Sequence, residues 1–115
     1  MAEKLIRRGE VYWVDLSLPS EEEKEKGIIH ELQGTHPAVI ISNNQQNLYS
    51  PLIIIIPITS DMEKLYSWEV VIHSEGKERK ILTDQIRSVD KERIREHKGK
   101  VSYETLTKIE NNRLA

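Results

Sequence analysis

The run Leu52-Ile53-Ile54-Ile55-Ile56-Pro57-Ile58 constrains this chain more than any other segment. Four consecutive isoleucines are β-branched and stiff at χ1, which favours a pleated backbone over a helix. A short apolar run that does not alternate has to be covered on both faces, as a central strand of a sheet is. Its Pro57 has no N–H to give a ladder, so the strand is expected to end there or to lie at an edge.

Other segments supply neighbours for that strand. Glu10-Val11-Tyr12-Trp13-Val14-Asp15-Leu16 is rich in aromatic and β-branched residues. Residues 38–42, 68–73 and 79–83 have strand length and character. Asn43-Asn44-Gln45-Gln46-Asn47 and Ser74-Glu75-Gly76-Lys77 are read as turns. Residues 88–100, of mixed charge, are expected to form one turn and a short edge strand. Ser102 suits the N-cap of a final helix from Tyr103 to about Arg113, with Tyr103, Leu106 and Ile109 or Glu110 on one stripe. Pro19-Ser20 breaks the first strand, and Ser20-Glu21-Glu22-Glu23 has the form of a capping box. The helix it would start has nothing apolar to bury before Ile28. Residues 17–34 therefore read as a long surface loop with about two turns of marginal helix, a length typical of functional covers or mobile insertions. The sum is a mainly β fold: one small, strongly curved, mostly antiparallel sheet with a C-terminal helix, in a single domain over residues 1–115.

Composition narrows the class further. The chain is 37% apolar and 31% charged, the balance of a folded, soluble protein. It has no cysteine, hence no disulfide framework, no thiolate zinc site and no thiol nucleophile, which fits a reducing cytoplasm. Neither a signal peptide nor a membrane-length apolar stretch is visible, so a cytoplasmic location without a membrane partner is expected. The net charge of −2 conceals a split: residues 77–100 hold nine Lys or Arg against five Asp or Glu, a local +4. A basic segment on an acidic chain suits a polyanion approaching one face; it also suits a plain solvated surface.

The polar clusters at the ends of the apolar runs hold the groups that can do chemistry, because a strand's end is both rigid and wet. Glu31-Leu32-Gln33-Gly34-Thr35-His36-Pro37 precedes one run, Thr59-Ser60-Asp61 follows the central one, and Thr83-Asp84-Gln85-Ile86-Arg87 follows Ile81-Leu82. His36 carries an imidazole, which titrates near neutrality and can act as base or acid, or can simply pack beside Pro37. Thr59 can hydrogen-bond a phosphate or a 2′-hydroxyl, or can end a strand and cap a turn. Glu31 can partner His36, or be a solvated loop carboxylate. Asp84 and Gln85 can hydrogen-bond the polar edge of a ligand; alternatively Asp84 pairs with Arg87 and holds the turn. Gln33, Thr35, Ser60 and Arg87 are further polar groups of these clusters. Tyr12, Trp13, Tyr49, Tyr66 and Trp68 can stack bases, although strand aromatics more often serve core or dimer contacts. His30, His73 and His97 show no ligand spacing, so no metal and no cofactor are expected.

Taken together, Arg8-Gly9-Glu10-Val11-Tyr12, then Glu31-x-x-Gly34-x-His36-Pro37-Ala38-Val39, then Pro57-Ile58-Thr59-Ser60, then Asp84-Gln85-Ile86-Arg87-Ser88-Val89-Asp90 resemble the MazF/PemK (Kid) toxin family in order and spacing. The likeness runs from about Arg7 to the final helix. It implies an SH3-like barrel, a homodimer, and a metal-independent endoribonuclease that cuts single-stranded mRNA and is held in check by a cognate antitoxin protein. It also implies that Thr59, and in part of the family a Glu matching Glu31, act at the scissile phosphate, with Gln33, Thr35, Ser60, Asp84, Gln85 and Arg87 as candidate RNA contacts. Single-stranded RNA presents its base edges to such side chains. One position departs from the pattern: the family has Arg where this chain has His36. Imidazole can transfer protons but is a poorer fixed, two-pronged phosphate ligand than guanidinium. A non-enzymatic member that binds antitoxin or RNA is therefore the alternative. A gyrase poison of the CcdB type, similar in fold, carries a terminal Trp-Gly-Ile, whereas this chain ends Asn112-Arg113-Leu114-Ala115.

Overall fold

Every ladder among the described residues is antiparallel, and all of them lead back to the isoleucine strand. The computed structural model describes residues 5–17 and 34–114. Its strands are β1 (Glu10–Asp15), β2 (Thr35–Ile40), β3 (Leu52–Thr59), β4 (Val70–Ser74), β5 (Lys77–Ile81), β6 (Arg87–Asp90) and β7 (Ile94–Lys100). Two helices accompany them, α1 (Asn44–Tyr49) and α2 (Tyr103–Leu114). The sheet order is β4-β5-β3-β2-β1-β7, with β6 also paired to β3. The result is the mainly β architecture expected, a curled antiparallel sheet of half-barrel form with one main C-terminal helix.

The curl has a local cause. On one side β3 pairs with β2. On the other it takes two partners in succession: β6 along Leu52–Ile55 and β5 along Ile58 and Thr59. Pro57 sits in the gap between them. Its carbonyl accepts the Leu82 N–H at 3.0 Å on that side, while the Leu82 carbonyl accepts the Gln85 N–H at 2.8 Å, so the N–H that Pro57 lacks leaves that acceptor satisfied. The strand therefore runs through Pro57 to Thr59 and neither stops nor becomes an edge, which corrects the reading of that proline.

Two apolar clusters form on the two faces of the sheet. Tyr12, Val14, Ala38, Ile40, Ile53 and Ile55 belong to one; Val11, Val39, Ile56, Ile58, Ile81 and Ile109 to the other. β3 contributes to both, and that is why its sequence does not alternate.

Several expected boundaries move. Asn43–Asn47 was expected to be a turn but contains most of α1. The Asn43 side chain accepts the Gln46 N–H at 2.8 Å, capping the helix. Asn47 is buried, donating to the Ser42 carbonyl at 3.0 Å and accepting from the Ser42 hydroxyl, which itself accepts the Ile54 N–H. An all-amide stretch conceals a helix because its one inward residue is polar and satisfied by a serine. Residues 88–100 hold parts of two strands joined by a 3-10 turn at Lys91–Arg93, where one was expected. Trp68 lies in the turn before β4, and Thr83 begins a 3-10 turn (Thr83–Gln85) after β5.

α2 is capped as expected, the Ser102 hydroxyl accepting the Thr105 N–H at 3.1 Å. Its packing stripe starts a turn late, since Tyr103 is 84% exposed while Ile109 is fully buried. The helix meets the sheet from Leu106 onward. There Gly9, at φ +91°, lies so close that an added Cβ would stand 3.1 Å from Leu106 Cδ1. Glu110 accepts from Arg8 at 2.7 Å. The expected capping box and most of the long loop at 17–34 lie outside the described residues. Among the described residues no helix is long and apolar enough to cross a membrane.

Candidate functional site

Register decides which of the candidate side chains share a face. β2 and β3 pair Ala38 with Pro57, Val39 with Ile56 and Ile40 with Ile55. That ladder ends at Ala38–Pro57; His36 and Thr59 each lie two residues beyond it, so by alternation both project from the face of Ala38. Thr59 in turn is opposite Lys80 of β5, and His36 is opposite Val14 of β1. Directly opposed residues of antiparallel strands project from the same face. His36, Thr59 and Lys80 therefore project from one face at the same end of the sheet, where the Val14–Ile55 cluster gives way to solvent. Both His36 and Thr59 are half-buried. Arg87, opposite Ile55, lies on the same face further along.

The Thr59 hydroxyl accepts the Asp61 N–H at 3.1 Å. That uses an acceptor site and leaves the hydroxyl proton to be donated elsewhere. Asp61 Oδ1 accepts the Glu63 N–H at 3.1 Å, so the chain leaves β3 as two successive side-chain-closed turns.

Lys80 was not singled out from sequence, nor was Glu69. Lys80 is 7% exposed; its ammonium reaches Glu69 Oε1 at 3.2 Å and the Lys64 carbonyl. The Glu69 side chain is 4% exposed and also accepts the Tyr66 N–H at 2.9 Å. This buried pair ties residues 64–69 to β5 beside Thr59. The charges largely offset each other, so the pair acts as a clamp on the site's wall. A strand reading of 79–83 puts Lys80 on one face by alternation. Only the register with β3, which is not legible from one strand, brings it beside Thr59.

Of the remaining candidates, Thr35 and Ser60 are exposed at the same end of the sheet. Asp84 is exposed and Gln85 half-buried on the 3-10 turn after β5. The Gln85 N–H to the Leu82 carbonyl, 2.8 Å, and the Thr83 hydroxyl to the Trp68 carbonyl, 2.6 Å, hold that turn. Since Leu82 is bonded to Pro57, the turn sits beside the β3 partner switch, two residues from Thr59. Glu31 and Gln33 lie outside the described residues.

The two described histidines besides His36 are elsewhere. His73 is exposed on β4. His97 Nε2 lies 3.0 Å from Glu10 Oε2, with its ring edge-on to Tyr12 at 5.1 Å. Burial and then the Glu10 carboxylate raise the Tyr12 hydroxyl above the usual phenol range. This group fastens β1 to β7. Among the described residues no three His, Asp or Glu side chains come together as a metal-ligand set. A cavity of about 370 Å³, lined by Val11, Pro37, Ile58, Ile72, Arg79 and Lys98 among others, opens on the opposite face from His36 and Thr59.

The sequence profile of PemK-like, MazF-like toxins of type II toxin–antitoxin systems matches residues 7–114. Endoribonuclease MazF of Staphylococcus epidermidis is 33% identical over 115 residues, covering 93% of this chain and 87% of that protein. In fold the chain is similar to MazF of Deinococcus radiodurans, with a TM-score of 0.79 at 24% identity over 96% of this chain and 94% of that one. It is also similar to a mycobacterial endoribonuclease in complex with its cognate antitoxin, with a TM-score of 0.69 at 22% identity over 96% and 90%.

Proposed function

The chain belongs to the family of PemK-like, MazF-like toxins of type II toxin–antitoxin systems, and on that premise we propose that it is the toxin of such a pair, an endoribonuclease cutting single-stranded mRNA without a metal. The observation that carries the reading to chemistry is that His36 and Thr59 project from one face at the wet end of the sheet. In metal-free cleavage the 2′-oxygen attacks the adjacent phosphorus as its proton passes to a base. The P–O5′ bond breaks and an acid protonates the leaving 5′-oxygen, giving a 2′,3′-cyclic phosphate and a 5′-hydroxyl. His36 supplies one of these proton transfers, and Glu31 is the candidate for the other. Thr59, with its proton free to donate, hydrogen-bonds a phosphate oxygen as charge builds on it. Thr35, Ser60, Gln33 and Arg87 bind the strand, while Asp84 and Gln85 face its base edges. Its partners are single-stranded RNA, a cognate antitoxin and a second copy of itself. Its workplace is the cytoplasm, where mRNA is found.

Incubation of the purified protein with a long unstructured RNA in EDTA, followed by end mapping, tests this. Cleavage at a short recurring sequence with the two ends named above is the expected result. No cleavage at any protein concentration, or cleavage that chelation abolishes and a divalent ion restores, would overturn it. The second reading, a binder that no longer cuts, is favoured by one observation, imidazole at position 36 in place of the family's guanidinium. It predicts an inert natural protein and activity only in His36→Arg.

A further inference from the structure

Beyond His36 and Thr59, the segment that leaves β3 carries two aromatic rings in an unusual state. Tyr66 and Trp68 are stacked on each other, with ring centroids 4.7 Å apart and planes within 7°. They are nonetheless 46% and 41% exposed. Their backbones are not loose. The Tyr66 N–H is held by Glu69 Oε1 at 2.9 Å and its carbonyl by the Glu69 N–H at 3.0 Å. The Trp68 carbonyl accepts from both Thr83 Oγ1 at 2.6 Å and Asn112 Nδ2 at 2.8 Å. The Lys80–Glu69 clamp fixes the whole turn to β5. Two large rings held out into water on a pinned backbone form a rigid surface with an open outer face.

The place of this pair favours one occupant. The bond from Thr83 to Trp68 sets the rings beside the turn that carries Asp84 and Gln85, a carboxylate and an amide able to meet a base edge. The exposed Lys64, two residues before Tyr66, offers a cation for a phosphodiester. An aromatic face, hydrogen-bonding groups at its rim and a nearby cation are the elements that hold an unpaired nucleotide.

We propose that Tyr66 and Trp68 form a base-stacking subsite: one unpaired nucleobase of the RNA, flanking the nucleotide that is cut, stacks on the outer face of the pair. This rests on the reading of the chain as a ribonuclease. It adds a contact outside the groups that move protons.

The test uses the full chain and a heptaribonucleotide spanning the mapped cleavage site, with 2′-deoxyribose at the cleaved nucleotide so that it binds without being cut. Trp68→Ala should weaken binding by about 5- to 100-fold, the usual worth of one stacked base. Trp68→Phe should recover most of the loss, and Tyr66→Ala should fall between. Circular dichroism melts identify any variant that fails to fold, in which case the milder Trp68→Phe and Tyr66→Ala carry the comparison. Replacing each base in turn by an abasic residue should reveal one position that costs the natural protein the same factor and costs Trp68→Ala nothing further. Natural protein that cuts RNA, with Trp68→Ala binding equally well, would overturn the subsite and leave the ribonuclease intact. So would losses from abasic substitution that multiply with the Trp68→Ala loss at every position. A Trp68→Ala chain that changes its subunit number in light scattering, with RNA binding altered only through that change, would make the pair a protein contact and overturn the proposal. If the natural chain neither cuts nor binds any RNA, the ribonuclease reading fails and takes this subsite with it.

Discussion

In the proposed mechanism, a single ring at position 36 decides how the site works. With His36 as a proton-transfer group, His36→Ala is expected to slow RNA cleavage by roughly 10² to 10⁴, the worth of a positioned acid or base. His36→Arg is expected to hold or raise the rate, because guanidinium brings back a fixed charge and a two-pronged donor. Thr59→Val, which keeps the shape and removes the hydroxyl, should also be slower. Initial rates on one defined RNA, with folding checked by thermal melts, measure all three; equal rates for His36→Ala and the natural chain would pass the role to Glu31. At this scale the sequence offers candidates: His36, Thr59, Asp84 and Gln85 can be named because they adjoin apolar runs, but which of them share a face is set by the fold. Lys80 did not stand out, since its meaning lies wholly in the residue across the ladder. Gly9 offers a residue-scale check on packing. Gly9→Ala puts a side chain at φ +91° and 3.1 Å from Leu106, and should cost about 1–3 kcal/mol in denaturant unfolding.

Among the elements, the strands were readable wherever side chains alternated or filled both faces, and unreadable where tertiary contacts overrode local chemistry. α1 is the clearest case. Its amides look like a turn until Ser42 is seen to satisfy Asn47. Pro57 misled for a related reason, because strand order, not sequence, determines whether a missing N–H matters. The Lys80–Glu69 pair permits a sharp prediction. Removing one partner strands a buried charge, so Glu69→Leu should destabilise by about 3–5 kcal/mol. The double change Glu69→Leu with Lys80→Met should recover most of that loss in chemical denaturation. The end of β1 gives a second prediction. Hydrogen bonds from Ser17, helped by Arg93 and Arg95, hold the Asp15 carboxyl below its usual range. A carboxyl so lowered adds stability above its unfolded-state value, and that stability is lost as pH falls through the folded one. Asp15→Asn should thus be least stable relative to the natural chain at neutral pH, and the gap should close below about pH 4.

For the whole molecule, the chain carries more apolar surface than its own core covers. Leu48, Tyr49, Leu52, Leu65 and Tyr103 are each at least 45% exposed, on several different elements. The proposed homodimer follows, and light scattering at tens of micromolar protein should give twice the chain mass. The hairpin of β1 and β2 is also already closed before its connecting segment begins: Asp15 pairs with Thr35, and the Leu16 N–H meets the Gly34 carbonyl at 2.8 Å. Loop-closure entropy grows only slowly with length, so the fold depends little on how many residues lie between those ends. Replacing 18–33 by a short turn should leave the melting temperature within a few degrees while deleting Glu31 and Gln33. In the proposed mechanism the scaffold and part of its chemistry are therefore separable: a chain that keeps these two strands and changes only what joins them keeps the architecture and alters its contacts to RNA.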